Sequence, residues 1–414
     1  MKLNPVTLCK FTDNDDFSKL NKEIKSLPFA SFLFVTYNRC PYNDYDKNPL
    51  VWAFQTLLNN SHQLINDFVV VDDASTDFTS ETVKWLKRTY CIPITYIKNK
   101  THKEYSFNRR KGIKYTQNKL VFMGDDDCLF SRYFVVGSLL TYQFLKKKYK
   151  NKKIAVINLP VYEKKLSPIE TISKNKIGQV YWQKTFFYHE FDKFPQEYIK
   201  KPEYITKDKI LLKPFEVQTF KGVNLCDKDL IMEAGNYLDL SMWKFGYSEH
   251  IELSVKLNKL KFKTYHQPDP KVGCLHLKYG NKTRDIFDPK LSNIRLSGLN
   301  YKLGEIIKFS EKNRPNTGSR IDDYNFHVIE VGTFFSFYLK LSNKLGIKFA
   351  KDQYKRFVVG GKVFSTTPSK LIQDKWVRNK IFWEGIKKGI KATETQTNQK
   401  YTNLLKILKQ EIKG

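Results

Sequence analysis

Three consecutive carboxylates, Asp125, Asp126 and Asp127, stand directly after the apolar segment Leu120-Val121-Phe122-Met123 and before Cys128-Leu129-Phe130. The pattern predicts a buried strand that delivers an acidic cluster at its carboxyl end. Adjacent like charges repel, so the cluster is costly unless a cation or a set of donors neutralises it. Clusters of oxygen ligands suit hard divalent cations. The substrates that bring both a metal and negative charge are phosphates, nucleoside diphosphates above all. The alternative is a solvated acidic loop.

A second acidic strand end is Val71-Asp72-Asp73-Ala74-Ser75-Thr76-Asp77. An aspartate here, Asp73 in particular, can accept a hydrogen bond from a base N–H or a ribose hydroxyl. Ser75, Thr76 and Asp77 suit a tight turn, and Ser80 is the expected cap of the helix that follows.

These residues need a frame, and the hydrophobic pattern supplies one. Ser31-Phe32-Leu33-Phe34-Val35, Phe68 to Val71, Ile92 to Ile97, Leu120 to Met123 and Ile154 to Leu159 read as strands. Their continuous apolar character fits parallel strands buried on both faces. Val51 to Leu58, Thr79 to Thr89, Tyr105 to Thr116 and Tyr133 to Tyr149 carry helical spacing between them. The alternation predicts an α/β sheet with helices on both faces. In such sheets ligands bind outside the carboxyl ends of the strands, where both acidic clusters fall. From about residue 160 to 220 the pattern loosens into aromatics and lysines, as in an insertion or acceptor-side loops. Helical periodicity returns at Asp229 to Ala234 and at Ile251 to Leu260.

The composition narrows the classes. The chain has 414 residues, a formal net charge of +30 and six scattered cysteines without a CxxC pair. The expectation is reduced thiols in a cytoplasmic protein. Met1-Lys2-Leu3-Asn4-Pro5 does not lead into the apolar region of a secretion signal, and no stretch approaches the ~20 apolar residues of a membrane span. The positive charge attracts polyanions such as nucleic acid, anionic lipid or acidic polysaccharide. No nucleic-acid-binding motif is visible, so nucleic acid is not an expected partner.

Read in order, four segments carry a resemblance: Phe34-Val35-Thr36-Tyr37-Asn38-Arg39, Val69 to Asp77, Asn108-Arg109-Arg110-Lys111-Gly112-Ile113 and Phe122-Met123-Gly124-Asp125-Asp126-Asp127. The set resembles the successive motifs of family 2 glycosyltransferases of the GT-A fold. It continues through Gly222-Val223-Asn224-Leu225 and Gly246 to Leu253, and ends near His276. The resemblance implies a GT-A, Rossmann-like, mostly parallel sheet over residues 29–290. Residues 1–28 are then an extension, and residues 291–414 a mainly helical, basic region outside the resemblance.

The resemblance also implies roles. Thr36 would lie beside the nucleotide, Asp73 would accept from the N3–H of uracil or a similar base, and Arg109 would sit near the base or diphosphate. Arg110 replaces the asparagine usual in that segment. Asp125 would face the ribose, with Asp126 beside it at the nucleotide sugar, and Asp127 would hold Mn2+ or Mg2+. His276 stands where some relatives place a further metal ligand. Many relatives carry Glu-Asp where this chain has Glu249-His250, the aspartate acting as general base. His250 or Glu249 would do that work here; otherwise Ser248-Glu249 caps the helix, and without a base the reaction would retain configuration.

The implied activity is transfer of a hexosyl or N-acetylhexosaminyl group from a nucleoside diphosphate sugar, UDP-linked by preference, to a glycan or lipid-linked hydroxyl. Two other readings stand beside it: a nucleotidyltransferase, which Thr36-Tyr37-Asn38-Arg39 disfavours, and a catalytically inactive polyanion- or membrane-binding scaffold that kept the GT-A fold. Under any of the three the chain could assemble as an oligomer. In the last region, apolar runs at Val331 to Leu339, Ile381 to Ile386 and Leu404 to Leu408 alternate with lysines. Such helices either pack on a core or lie on an anionic membrane surface, which would place the chain peripherally on the inner face of a membrane.

Overall fold

The computed structural model describes residues 24–61, 63–103, 105–159, 161–162, 214–217, 220, 222–237, 249–267, 272–276, 323–361 and 373–413. Cys9, Ser248, most of the expected insertion at 160–220 and residues 277–322 lie outside them. The described residues up to 276 fall in one compact unit and those from 323 onward in another.

The first unit is built in chain order from β1 (Ala30–Thr36), α1 (Pro49–Asn60), β2 (Ile65–Asp72), α2 (Thr79–Tyr90), β3 (Ile94–Lys98), α3 (Tyr105–Gly112), β4 (Leu120–Asp125) and β5 (Cys128–Phe130). There follow α4 (Phe134–Lys148), β6 (Ile154–Asn158), β7 (Val161–Tyr162), β8 (Phe215–Val217), β9 (Asn224–Asp227), α5 (Lys228–Glu233), α6 (Glu249–Lys259), β10 (Lys263–His266) and β11 (Cys274–His276). The eight-stranded sheet runs β3-β2-β1-β4-β9-β6-β10-β8. Strands β1 to β4 are mutually parallel, β9 is antiparallel to both β4 and β6, and β8 is antiparallel to β10. A three-stranded sheet, β5-β11-β7, stands beside it. This is the expected GT-A, Rossmann-like architecture, mostly parallel with antiparallel insertions.

Each central strand is apolar throughout because both of its faces are covered. On one face Phe32, Phe34, Phe54, Phe68, Phe122, Phe130 and Phe134 form a continuous aromatic core. Phe32 packs on Phe34 at 4.4 Å and edge-on to Phe130 at 5.2 Å between ring centroids. On the other face Leu33, Val69, Val71, Val121 and Met123 pack with Leu253 and Leu257 of α6. Gly112, at the end of α3, permits that face to close: a Cβ there would meet Leu33 Cδ1 at 2.4 Å.

The second unit is helical: α7 (Asp323–Leu341), α8 (Asn343–Gln353) running into a π-helical turn at Tyr354–Val359, α9 (Lys375–Thr397) and α10 (Leu404–Lys413). Gly385 and Gly389 on α9 let it approach α7 closely, since a Cβ on Gly389 would meet the Gly332 carbonyl oxygen at 2.7 Å. Val331, Phe335, Leu339, Ile381, Phe382, Ile386, Leu404 and Leu408 are all buried. The apolar stripes seen in the sequence therefore form this unit's own core. No helix among the described residues is long and apolar enough to cross a membrane.

Candidate active site

Parallel register brings the site together. Thr36 at the end of β1 lies opposite Asp72 on β2, and Val35 lies opposite Asp125 on β4. The two acidic segments thus emerge on either side of the end of β1, at the carboxyl edge of the sheet.

The loop after β2 is a hydrogen-bonded turn. Asp72 Oδ1 accepts from Ser75 N at 2.8 Å, and Asp72 Oδ2 accepts from the Tyr96 hydroxyl. Burial and this carboxylate together push the Tyr96 phenol well up. Asn38 and Ala74 adopt positive φ, at 51° and 67°. Asn38 N donates to Ser75 Oγ at 2.9 Å, while Asn38 Oδ1 accepts from Thr76 N at 2.9 Å, so the loops after β1 and β2 are tied together. The expectation of a Ser80 cap is corrected. The helix begins at Thr79, as expected, so Ser80 lies inside its first turn and Phe78 stands at the N-cap position without a side-chain cap bond. Asp77 Oδ1 accepts from Thr79 N at 3.1 Å while its Oδ2 accepts from Cys40 N at 2.7 Å. Asp77 serves both loops, which a serine inside the first turn cannot do.

Asp73 is 2% exposed and held from several sides. Its Oδ1 accepts from Asn99 Nδ2 at 2.9 Å and from Lys103 N at 2.7 Å; its Oδ2 faces His102 Nδ1 at 2.8 Å. Asn99 is itself anchored, donating to Asn108 Oδ1 at 2.6 Å and accepting from Lys111 Nζ at 2.9 Å. The His102 ring lies 4.3 Å from that of Tyr37.

The aspartate triplet divides between two arginines. Arg109 is 1% exposed. Its guanidinium lies 4.1 Å from the centre of the Tyr105 ring, donates to the Gly222 carbonyl at 2.7 Å and stands 3.4 Å from Asp125 Oδ1. The Tyr105 hydroxyl also donates to Asp125 Oδ1. Arg109 is thus a clamp joining α3, the end of β4 and the approach to β9. Arg110 points elsewhere, donating to the Tyr237 carbonyl at 3.1 Å. Arg39 reaches the other two carboxylates: its Nε lies 3.4 Å from Asp126 Oδ1 and its Nη2 3.3 Å from Asp127 Oδ2.

Burial pushes Asp126 up to about 7, helped by the charges of Asp127 and Asp125 and opposed by Arg39 and the Thr36 hydroxyl. The triplet thus approaches charge balance with its two guanidinium groups while Asp126 is protonated, and gains a negative charge as Asp126 ionises. Asp125 to Asp127 are the residues at this edge that could hold a cation. No group of three or more His, Cys, Asp or Glu positioned for a metal occurs among the described residues. His276 belongs to β11 and lies opposite Cys128, the residue that follows Asp127.

Glu249 and His250 open α6, and the ring of His250 is 6.5 Å from that of Phe220. The His250 carbonyl accepts from Ser254 Oγ at 2.6 Å, an ordinary bond within the helix. Ser248, the other half of the expected cap, lies outside the described residues.

Sequence reasoning named Thr36, Asp73, Arg109 and Asp125 to Asp127, which the fold gathers at one edge. It gave no role to Arg39, His102, Asn99 or Tyr105. Arg39 and Tyr105 sit inside segments already singled out. His102 falls in a polar loop with no periodic signal.

Residues 31–198 match Glycosyl transferase family 2. No curated protein matches the sequence. Among solved structures, the chain is similar to GalNAc-T7 with UDP, GalNAc and Mn2+, at 11% identity and a TM-score of 0.45, over 61% of this chain and 44% of that one. It therefore spans less than half of that protein's length. It is also similar to the mannosyltransferase PcManGT from Pyrobaculum calidifontis in complex with GDP-Man and Mn2+, at 9% identity and 0.42, over 98% and 86% of the two chains. A third is S. aureus TarS in complex with UDP-GlcNAc, at 11% identity and 0.43, over 90% and 93%.

Proposed function

We propose that this family 2-like glycosyltransferase of the GT-A fold moves a hexosyl or N-acetylhexosaminyl group from a UDP-sugar to a hydroxyl of a glycan or lipid-linked acceptor, with inversion. The observation that carries the reading is the parallel register of β1, β2 and β4, which sets Thr36, Asp73 and the Asp125–Asp127 triplet along one sheet edge inside the matched span.

In this reading Asp73 receives the N–H of the base, its carboxylate already oriented by Asn99 and the Lys103 amide. Asp125 meets the ribose, its position fixed by Arg109 and Tyr105. A divalent cation, Mn2+ or Mg2+, would be held here by Asp125 and Asp127, whose carboxylates stand at the edge, and its charge would favour ionisation of Asp126, whose pKa burial raises. Asp127 would hold that cation, and His276 of β11, whose backbone stands opposite Cys128, is the candidate for a further ligand. When bound, the cation would neutralise charge on the leaving diphosphate, as a Lewis acid. Glu249 or His250, at the first turn of α6, takes the proton from the acceptor hydroxyl.

The activity is tested by calorimetry with UDP, with and without Mn2+, followed by turnover of a panel of sugar nucleotides. Metal-dependent UDP binding and release of UDP from one sugar nucleotide are expected. Failure to bind UDP under either condition would discard the reading.

A further inference from the structure

The two oxygens of Asp73 are held in different ways. The Oδ1 side is a built network: Asn99 and the Lys103 amide donate to it, and Asn99 is locked by Asn108 and Lys111. The Oδ2 side meets a ring carried on a polar loop, through His102 Nδ1 at 2.8 Å. The His102 side chain is 40% exposed, while the Asp73 side chain is 3% exposed. That ring packs 4.3 Å from Tyr37, tilted by 39°. It is a flat heterocycle with one N–H aimed at a carboxylate and one face on an aromatic side chain. The imide edge of uracil presents the same two features, a donor N–H in the plane of a stackable ring.

We propose that His102 is an internal occupant of the base subsite, a side chain that a uracil base must exchange with to reach Asp73 and Tyr37. This rests on the reading of Asp73 as the base acceptor. The exchange replaces one ring N–H on Oδ2 by another and one ring contact on Tyr37 by another, so the buried carboxylate loses no hydrogen bond, a loss that would be costly. His102 thereby sets donor affinity. The subsite accepts only in proportion to the time the imidazole spends away, and apparent affinity falls by that fraction. The neighbouring network is indifferent to the exchange, since no bond to Oδ1 has to move.

The test is UDP binding by calorimetry and stopped flow to wild type, His102→Ala and His102→Phe. Removing the imidazole empties the slot, so His102→Ala should bind UDP about 5-fold more tightly, the gain lying mainly in the association rate. His102→Phe keeps a ring over Tyr37 but cannot donate, so its affinity should fall between those of the other two proteins. In histidine-labelled wild-type protein, uridine alone should shift the His102 ring resonances. Equal or weaker UDP binding by His102→Ala, with wild type binding normally, overturns the exchange and leaves the glycosyltransferase reading standing. If neither protein binds UDP or uridine, Asp73 is not a base acceptor, and both readings fall.

Discussion

Arg39 Nη2 stands 3.3 Å from Asp127 Oδ2, and the carboxylate side chain is 2% exposed. One guanidinium therefore serves a buried acidic pair, since its Nε also faces Asp126. The raised Asp126 carboxyl, at about 7 against an ordinary 3.8, gives this arrangement a pH signature. A folded-state value above the unfolded one contributes stability that is present at about pH 4 and below, and that is lost as pH rises through 7. Arg39→Gln removes the charge that opposes the shift. In metal-chelated protein its loss of melting temperature should be larger at pH 8 than at pH 5, and Asp126→Asn should melt higher than wild type at pH 8. Thermal melts at the two pH values check both.

Asp127→Ala relieves a crowded acidic site, so the fold should survive and melt within a few degrees of wild type. Mn2+ should no longer enhance UDP binding, and turnover should drop by about 10²-fold or more, as when preorganised charge stabilisation is removed. A variant with near-normal turnover would take the cation away from this residue.

Gly124 precedes the triplet in the strand. A Cβ there would lie 2.5 Å from Phe32 Cζ and 3.0 Å from Phe130 Cζ, both in the aromatic core. Gly124→Ala should destabilise by about 1–3 kcal/mol through overpacking. It should also weaken UDP binding, because the strand that carries Asp125 must shift. Denaturant titration and calorimetry on the same sample separate the two effects.

Glu249→Gln and His250→Ala distinguish proton transfer from helix capping. Loss of the general base should lower kcat by about 10²–10⁴-fold with little change in melting temperature. Loss of a cap should cost about 1 kcal/mol and spare kcat. The residue whose variant shows the kinetic defect is the base.

The helical unit buries its apolar stripes, so the membrane reading of this basic region rests on electrostatics alone. The full chain should float with anionic liposomes at low salt and be released at about 0.5 M salt, where charges are screened within a few ångströms. Retention at high salt would point to inserted apolar side chains, of which Trp376, at 68% exposure, is the first to replace.

Much of this architecture is legible in the sequence. Phe32-Leu33-Phe34-Val35 and Phe68 to Val71 declare buried parallel strands because both faces need apolar side chains. Strand β9 is not declared in the same way. Asn224 to Asp227 is four residues with polar ends, and nothing local says that it pairs antiparallel between β4 and β6. The acidic residues of the site are visible because strand ends concentrate them. Their partners Arg39, His102 and Tyr105 are not, since what each contacts is fixed by loops brought together from three different strands. The Ser80 cap fails for a local reason: the helix already includes Thr79, so Ser80 sits in its first turn and not ahead of it.

The pairing of β5 with β11 joins Cys128–Phe130 to Cys274–His276. Closing so long a loop is entropically slow, and such contacts form late. A growing polypeptide can therefore complete β1 to β4 well before the strand leaving Asp127 finds its neighbour. The acidic edge would acquire its final frame among the last events of folding, so a nascent chain should hold a sheet long before the segment that leaves Asp127 is fixed.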